Sequence, residues 1–173
     1  MVEPSTALQV VFDKAVSDAK KLQHEYVTLE HLLYAMLCEE SFENIIVGYG
    51  ADPELMKKNL ENYLKTKLEQ VKTDLVKFKP KKTATVERVL SRAFTQVLFQ
   101  GRNAIEVSDV FISILSEKRS YAFFITTQSN INKDTFVSYM SAELDDVVDE
   151  EETENQGVAN KALRTFTDIE RKS

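Results

Sequence analysis

Turn-forming residues are scarce in this 173-residue sequence, which holds only 4 glycines and 3 prolines. A many-stranded β fold needs a turn signal roughly every ten residues, so the scarcity favours helices. Tryptophan is absent, and cysteine occurs once, at Cys38. A lone cysteine excludes an internal disulfide and suits a reducing compartment. No apolar run approaches the roughly 18 residues that span a bilayer. Met1-Val2-Glu3-Pro4 lacks a basic segment leading into an apolar stretch, so no signal peptide is read and a cytoplasmic protein is expected. The phosphate-binding patterns G-x-x-x-x-G-K-[ST] and G-x-G-x-x-G are missing, as is G-x-S-x-G. The chain itself is therefore not expected to be an enzyme.

What is present is unevenly charged. The net charge of −6 comes from one place: Glu143 to Glu154 contains eight acids and no lysine or arginine. Residues 1–142 are neutral, with 18 acids and 18 bases, and offer no general footprint for nucleic acid. Seven lysines do fall between Lys65 and Lys82, against Glu69 and Asp74. They read as a solvated face in preference to a phosphate site.

Residues 8–37 laid over residues 86–115 bring apolar positions into coincidence without a gap. Leu8 falls on Val86, Val11 on Val89, Phe12 on Leu90, Ala15 on Ala93, Val16 on Phe94 and Ala19 on Val97. Past a polar break, Leu29 falls on Val107, Leu32 on Val110, Leu33 on Phe111 and Met36 on Ile114. Helical spacing holds on both sides of the break, so each copy is a helix, a turn and a second helix. The first helix spans 6–22, and Thr28 caps the second. A third, short one ends at Gly48 as a left-handed cap, and Asp52-Pro53 starts a fourth. Helices 84–99 and 106–117, the Phe123–Ile125 segment and a helix capped by Asn132 repeat the plan. The expected fold is all-α, about eight helices in two pseudo-symmetric four-helix repeats at 6–64 and 84–141. A connector at 65–83, anchored by Leu68, Val71, Leu75 and Phe78, joins them. The acid-rich, apolar-poor segment 143–160 is expected to be a flexible linker.

Candidate chemistry is thin. His24 and His31 stand seven residues apart and Cys38 seven further on, not the spacing of a helical metal pair. They read as polar or partly packed residues, with a metal site built on them plus Glu25 or Glu30 as the minor alternative. Glu25 and Glu30 flank the Thr28 cap, where acids are favourable for local reasons. Neither belongs to an apolar stripe, so both are expected as surface charges whose reversal leaves the fold standing.

The string His24-Glu25-Tyr26-Val27-Thr28-Leu29-Glu30-His31-Leu32-Leu33 closely resembles the start of the Clp N-terminal domain, the double repeat that precedes the ATPase rings of Clp AAA+ unfoldases. Arg88-Val89-Leu90-Ser91-Arg92-Ala93, Gly101-Arg102-Asn103 and Leu115-Ser116-Glu117 resemble its ClpA-like branch. So does an acidic linker followed by Ala162-Leu163 and Phe166-Thr167-Asp168-Ile169, which is similar to the entry of a first ATPase module at 161–173. The resemblance implies a domain that docks protein substrates and a ClpS-like adaptor, over a parent ring that uses ATP and magnesium and feeds the Clp protease. No cofactor is implied for this chain, and the isolated chain is expected to be a monomer. The adaptor-contacting positions of that branch fall on Glu25, Glu30, Thr83 and Arg88. The basic connector departs from the branch, which is more polar and acidic there. The alternative role is a free-standing Clp N-domain that competes for or redirects the adaptor or protease.

Overall fold

Apolar residues recurring at three- and four-residue intervals set the architecture, because each such stripe has to be covered by a neighbour. The structure, a computed structural model, describes residues 1–68 and 71–154, with side chains as far as 143. Among them are eight helices: α1 (Thr6–Lys21), α2 (Leu29–Cys38), α3 (Glu40–Tyr49), α4 (Pro53–Thr66), α5 (Ala84–Phe99), α6 (Val107–Ile114), α7 (Tyr121–Gln128) and α8 (Lys133–Glu154). Four two-residue strands join them: β1 (Glu3–Pro4), β2 (Tyr26–Val27), β3 (Lys81–Lys82) and β4 (Ala104–Ile105).

The strands display the duplication that the apolar spacing only implied. β1, ahead of α1, pairs in parallel with β4, in the turn between α5 and α6. β3, ahead of α5, pairs in parallel with β2, in the turn between α1 and α2. The 78-residue offset that carries Leu8 onto Val86 carries Glu3 onto Lys81 and Tyr26 onto Ala104. Each repeat thus lends its leading strand to the other's turn, a reciprocal exchange that is the backbone signature of a pseudo-twofold axis.

The caps follow the same offset. Ser5 Oγ accepts from Leu8 N–H at 3.1 Å, and Thr83 Oγ1 from Val86 N–H at 3.1 Å. Gln23 has φ 59° where repeat two has Gly101 at φ 70°. Glycine enters that left-handed region freely, whereas Gln23 is held there by its neighbours. Its backbone and side-chain amides bond the connector, with Thr73 N–H donating to Gln23 O at 2.8 Å and Gln23 Nε2 to Thr73 O at 3.0 Å.

The stripes pack as the spacing predicts, with one narrowing. Leu8, Val11, Ala15 and Ala19 of α1 are buried, and so are Val86, Val89, Ala93 and Val97 of α5. Phe12, Val16, Leu90 and Phe94 instead lie at the rim, Phe94 being 42% exposed. A groove of about 520 Å³ lies between α1 and α5 on that side, lined by Phe12, Leu90 and Phe94 with Val2 and Pro4. Across the repeats, Phe111 stands between Phe42 (centroids 5.1 Å apart) and Phe136 (4.9 Å), and Tyr63 stacks on Tyr121 at 4.0 Å.

Three expectations change. Gly48 is not a cap: α3 runs on to Tyr49 and closes on Gly50 at φ 109°. Gly48 is small for another reason, since a Cβ there would run into the hydroxyl of Tyr139 from α8. Gly48→Ala is therefore expected to gain up to about 1 kcal/mol of helix propensity in a Tyr139→Phe background and to lose that gain with Tyr139 present. A double-mutant cycle by denaturant unfolding reads the coupling, and additive effects would refute the contact. The connector, secondly, is built in rather than draped: Glu25 N–H donates to Val71 O at 2.6 Å and Lys81 N–H to Glu25 O at 2.9 Å. Leu75 is no anchor, being 56% exposed, while Leu68 is buried. Thirdly, α8 carries helical backbone to Glu154, through acids that the composition reading assigned to the linker. Glutamate is a good helix former even where apolar residues are few, which a reading based on burial overlooks. Residues 155–160 of that linker, and 161–173, lie outside the described residues.

Candidate functional site

The α1–α2 turn gathers three of the four candidate docking residues or their neighbours. The β2–β3 ladder sets Glu25 beside Lys81, and Thr83 N–H donates to Val27 O at 3.2 Å. Glu25 and Thr83 therefore flank the two-residue ladder at its opposite ends, on chain segments 58 residues apart in sequence (25 and 83), both half-buried. Arg88 sits on α5 with its side chain 56% exposed. It is not free to swing. Its Nη2 donates to Glu117 Oε1 at 2.6 Å and its Nε to Oε2 at 3.2 Å, while Arg92 Nη2 reaches Oε2 at 2.6 Å. Those paired arginines hold the Glu117 carboxyl at about 2, far below the usual range. Glu117 belongs to the branch motif, but its role in positioning Arg88 is invisible in sequence because 29 residues separate the two.

Glu30 departs from its companions. It is 6% exposed and faces inward, where Oε2 accepts the Ala122 N–H at 2.8 Å. Ala122 lies in the first turn of α7, so a carboxylate from repeat one satisfies an open helix N–H of repeat two. Burial pushes its pKa upward, opposed by that backbone bond. The expectation of two surface charges thus holds for Glu25 and fails for Glu30. Helical spacing on α2 gave no hint that α7 would close over this residue. Reversal of Glu30 is accordingly a stability experiment, whereas reversal of Glu25 tests docking.

The two histidines are neither exposed nor independent. His24 and His31 are 1% and 0% exposed, and His24 Nδ1 lies 2.8 Å from His31 Nε2. His31 Nδ1 accepts the Thr28 N–H at 2.9 Å, completing a capping box in which His31 stands where glutamate is usual. That acceptor role leaves the His31 proton on Nε2, from which it is donated to His24. The offset carries His24 onto Arg102 and His31 onto Asp109, and there Arg102 Nη2 donates to Asp109 Oδ1 at 2.6 Å, both side chains buried. One position pair thus bridges the turn in both repeats, with an ion pair in one and neutral imidazoles in the other. No group of three or more histidine, cysteine or acidic residues among the described residues is arranged to hold a metal.

This geometry, two reciprocally strapped helical repeats, coincides with a known one. Residues 3–129 match the family model of the Clp repeat (R) N-terminal domain. The chain belongs to the Clp N-terminal domain family. A ClpA homolog protein of Fuscovulum blasticum is 26% identical over 137 residues, covering 79% of this chain and 17% of that relative's length. The chain therefore spans about a sixth of the relative it matches. Solved structures share the fold: the Hsp104 N-terminal domain of Candida albicans (11% identity, TM-score 0.67, 79% of this chain and 88% of that one) and the N-domain of ClpV from Vibrio cholerae (15%, 0.65, 80% and 83%). A structure from a malarial protein secretion system agrees at TM-score 0.70 and 12% identity, covering 81% and 93%. Clp N-domains are non-catalytic parts of AAA+ proteins, and none of the described helices is long and apolar enough to cross a membrane.

Proposed function

We propose that this Clp N-domain docks a ClpS-like adaptor and protein substrates for a ClpA-like ATP-dependent unfoldase that feeds the Clp protease in the cytoplasm. ATP and magnesium would act in the parent's ring, and this chain uses no cofactor. The observation that carries the reading is the one-sidedness of the docking chemistry. Under the 78-residue offset, Glu25 corresponds to Asn103, Glu30 to Ser108, Thr83 to Ser5 and Arg88 to Val10. The backbone, caps and core are repeated, whereas these side chains occur at only one of the two equivalent positions, which supports a single docking face. Glu25 and Thr83 flank the β2–β3 ladder there, and Glu117 holds the Arg88 guanidinium in one orientation. Glu30 is turned inward, onto the first turn of α7.

Charge-assisted hydrogen bonds of this kind contribute roughly 1.5–3 kcal/mol each. Glu25→Lys is expected to weaken a ClpS-like adaptor at least tenfold, about 1.4 kcal/mol, at an unchanged stoichiometry of one adaptor per chain. Asn103→Lys, at the corresponding place in repeat two, should change nothing. Calorimetric titration of the adaptor into the three folded proteins decides it. Equal affinity of wild type and Glu25→Lys would remove Glu25 from the interface, and two adaptors per chain would end the one-sided reading.

A further inference from the structure

The repeats differ most in the space between their first two helices and their fourth. In repeat two a cleft of about 610 Å³ opens between α5, α6 and α8, whereas its counterpart between α1, α2 and α4 is about 180 Å³. The residues at corresponding positions account for the difference. In repeat one Tyr34 fills the space, its ring 5.5 Å from Lys14 Nζ, and Leu22 closes the end. Repeat two has Ile112 for Tyr34, Gln100 for Leu22 and Ser116 for Cys38, side chains that are smaller or more polar.

Three buried side-chain atoms here have no hydrogen-bond partner among the described residues: Gln100 Oε1, and Nε and Nη1 of Arg102, which does not itself line the cleft. Arg92 donates to Ser113 O at 2.8 Å and to Glu117, and Asp109 accepts from Arg102 and from the Glu106 N–H at 2.8 Å. Gln100 lines the cleft at 2% exposure, and its Oε1 has no hydrogen-bond partner. A buried amide without a partner is uncommon because it forfeits its hydration, so the site calls for a donor.

We propose that this cleft binds an uncharged primary amide on a short apolar stem, the end of a glutamine or asparagine side chain of a bound polypeptide. The amide N–H₂ meets Gln100 Oε1, and Ala93, Ile112 and Val137 take the methylenes. An ammonium is disfavoured, because the inner charges already have their counter-charges and a desolvated cation would find none. At the mouth, Lys133 and Asp134 cancel in sign. None of Glu25, Glu30, Thr83 and Arg88 lines the cleft, so the inference does not rest on the adaptor reading.

Titration of isotope-labelled full chain with N-acetylglutamine methylamide, followed by amide chemical shifts, tests it. Saturable shifts are expected across residues 92–116 and 133–138, with the N-acetyl-leucine and N-acetyl-lysine methylamides at least tenfold weaker. Gln100→Leu and Ile112→Tyr, which restore the residues of repeat one, should each weaken the glutamine probe at least tenfold without lowering the melting temperature. If Gln100→Leu fails to fold, Ile112→Tyr decides alone. Equal response to the three probes, retained binding in the folded variants, or no saturation with the glutamine probe (a cleft that holds water only) would each overturn the proposal.

Discussion

Glu30→Lys unfolds the domain or costs it about 3–5 kcal/mol, the expected consequence of leaving an uncompensated cation buried. The wild-type carboxylate accepts the Ala122 N–H from the first turn of α7 and is 6% exposed. An ammonium in that place would face a donor with a donor, against the positive end of the helix. The Tyr63–Tyr121 stack, at the N-terminus of the same helix, leaves little freedom to turn the longer side chain outward. Glu30→Gln retains an acceptor and should cost about 1 kcal/mol, and Glu25→Lys, on the half-buried edge, no more than about 0.5. Denaturant unfolding of the three variants ranks them. A Glu30→Lys protein as stable as Glu25→Lys would show that α7 is not held by this carboxylate.

Acid should destabilise the protein through the histidine pair. Burial and the neighbouring imidazole lower the His31 pKa from 6.5 to about 3. The unfolded chain therefore takes up a proton below about pH 6.5 that the folded chain refuses until about pH 3. Stability from this pair is complete above pH 6.5, falls as pH drops, and stops falling near pH 3. At about 1.4 kcal/mol per unit the loss is on the order of 5 kcal/mol. Protonation has a structural cost as well: with Thr28 N–H on one ring nitrogen and His24 on the other, a second ring proton has to displace one of them. The control comes from the other repeat. His24→Arg with His31→Asp copies the Arg102–Asp109 pair into the α1–α2 turn, and that variant should keep its stability down to about pH 4. Glu117, held at about 2, also loses stabilisation as pH falls from 4.5, but equally in both proteins. Parallel pH profiles of unfolding free energy for wild type and variant would refute the assignment.

Much of the fold is legible before any coordinates. Stripes such as Leu8, Val11, Ala15 and Ala19 recur at the helical period, and their counterparts at 86–97 are buried as expected. Asp52-Pro53 opens α4 as written, with Asp52 Oδ1 accepting the Glu54 N–H at 3.0 Å. Gly48 misled because a glycine near a helix end is most often a cap, and only the Tyr139 hydroxyl, 91 residues on in sequence (48 and 139), reveals why it is small. The candidate site divides the same way. Glu25, Thr83 and Arg88 were accessible to sequence comparison, but Glu117, which orients Arg88, and Ala122, which claims Glu30, are contacts across long separations.

Periodicity, caps and the internal duplication are local properties, written in spacings of three, four and seven residues and in one offset of 78. They determined by themselves the helices, their order and the centre of each apolar stripe. What the tertiary structure decided is every relation between segments: the exchanged strands, the inward turn of Glu30, the neutral His24–His31 bridge, and a cleft in one repeat that the other fills. Those depend on which surfaces meet after the chain closes on itself. Glu25 and Glu30, one residue type five positions apart, differ in burial because α7 covers only the second, and burial is what shifts a carboxyl's protonation.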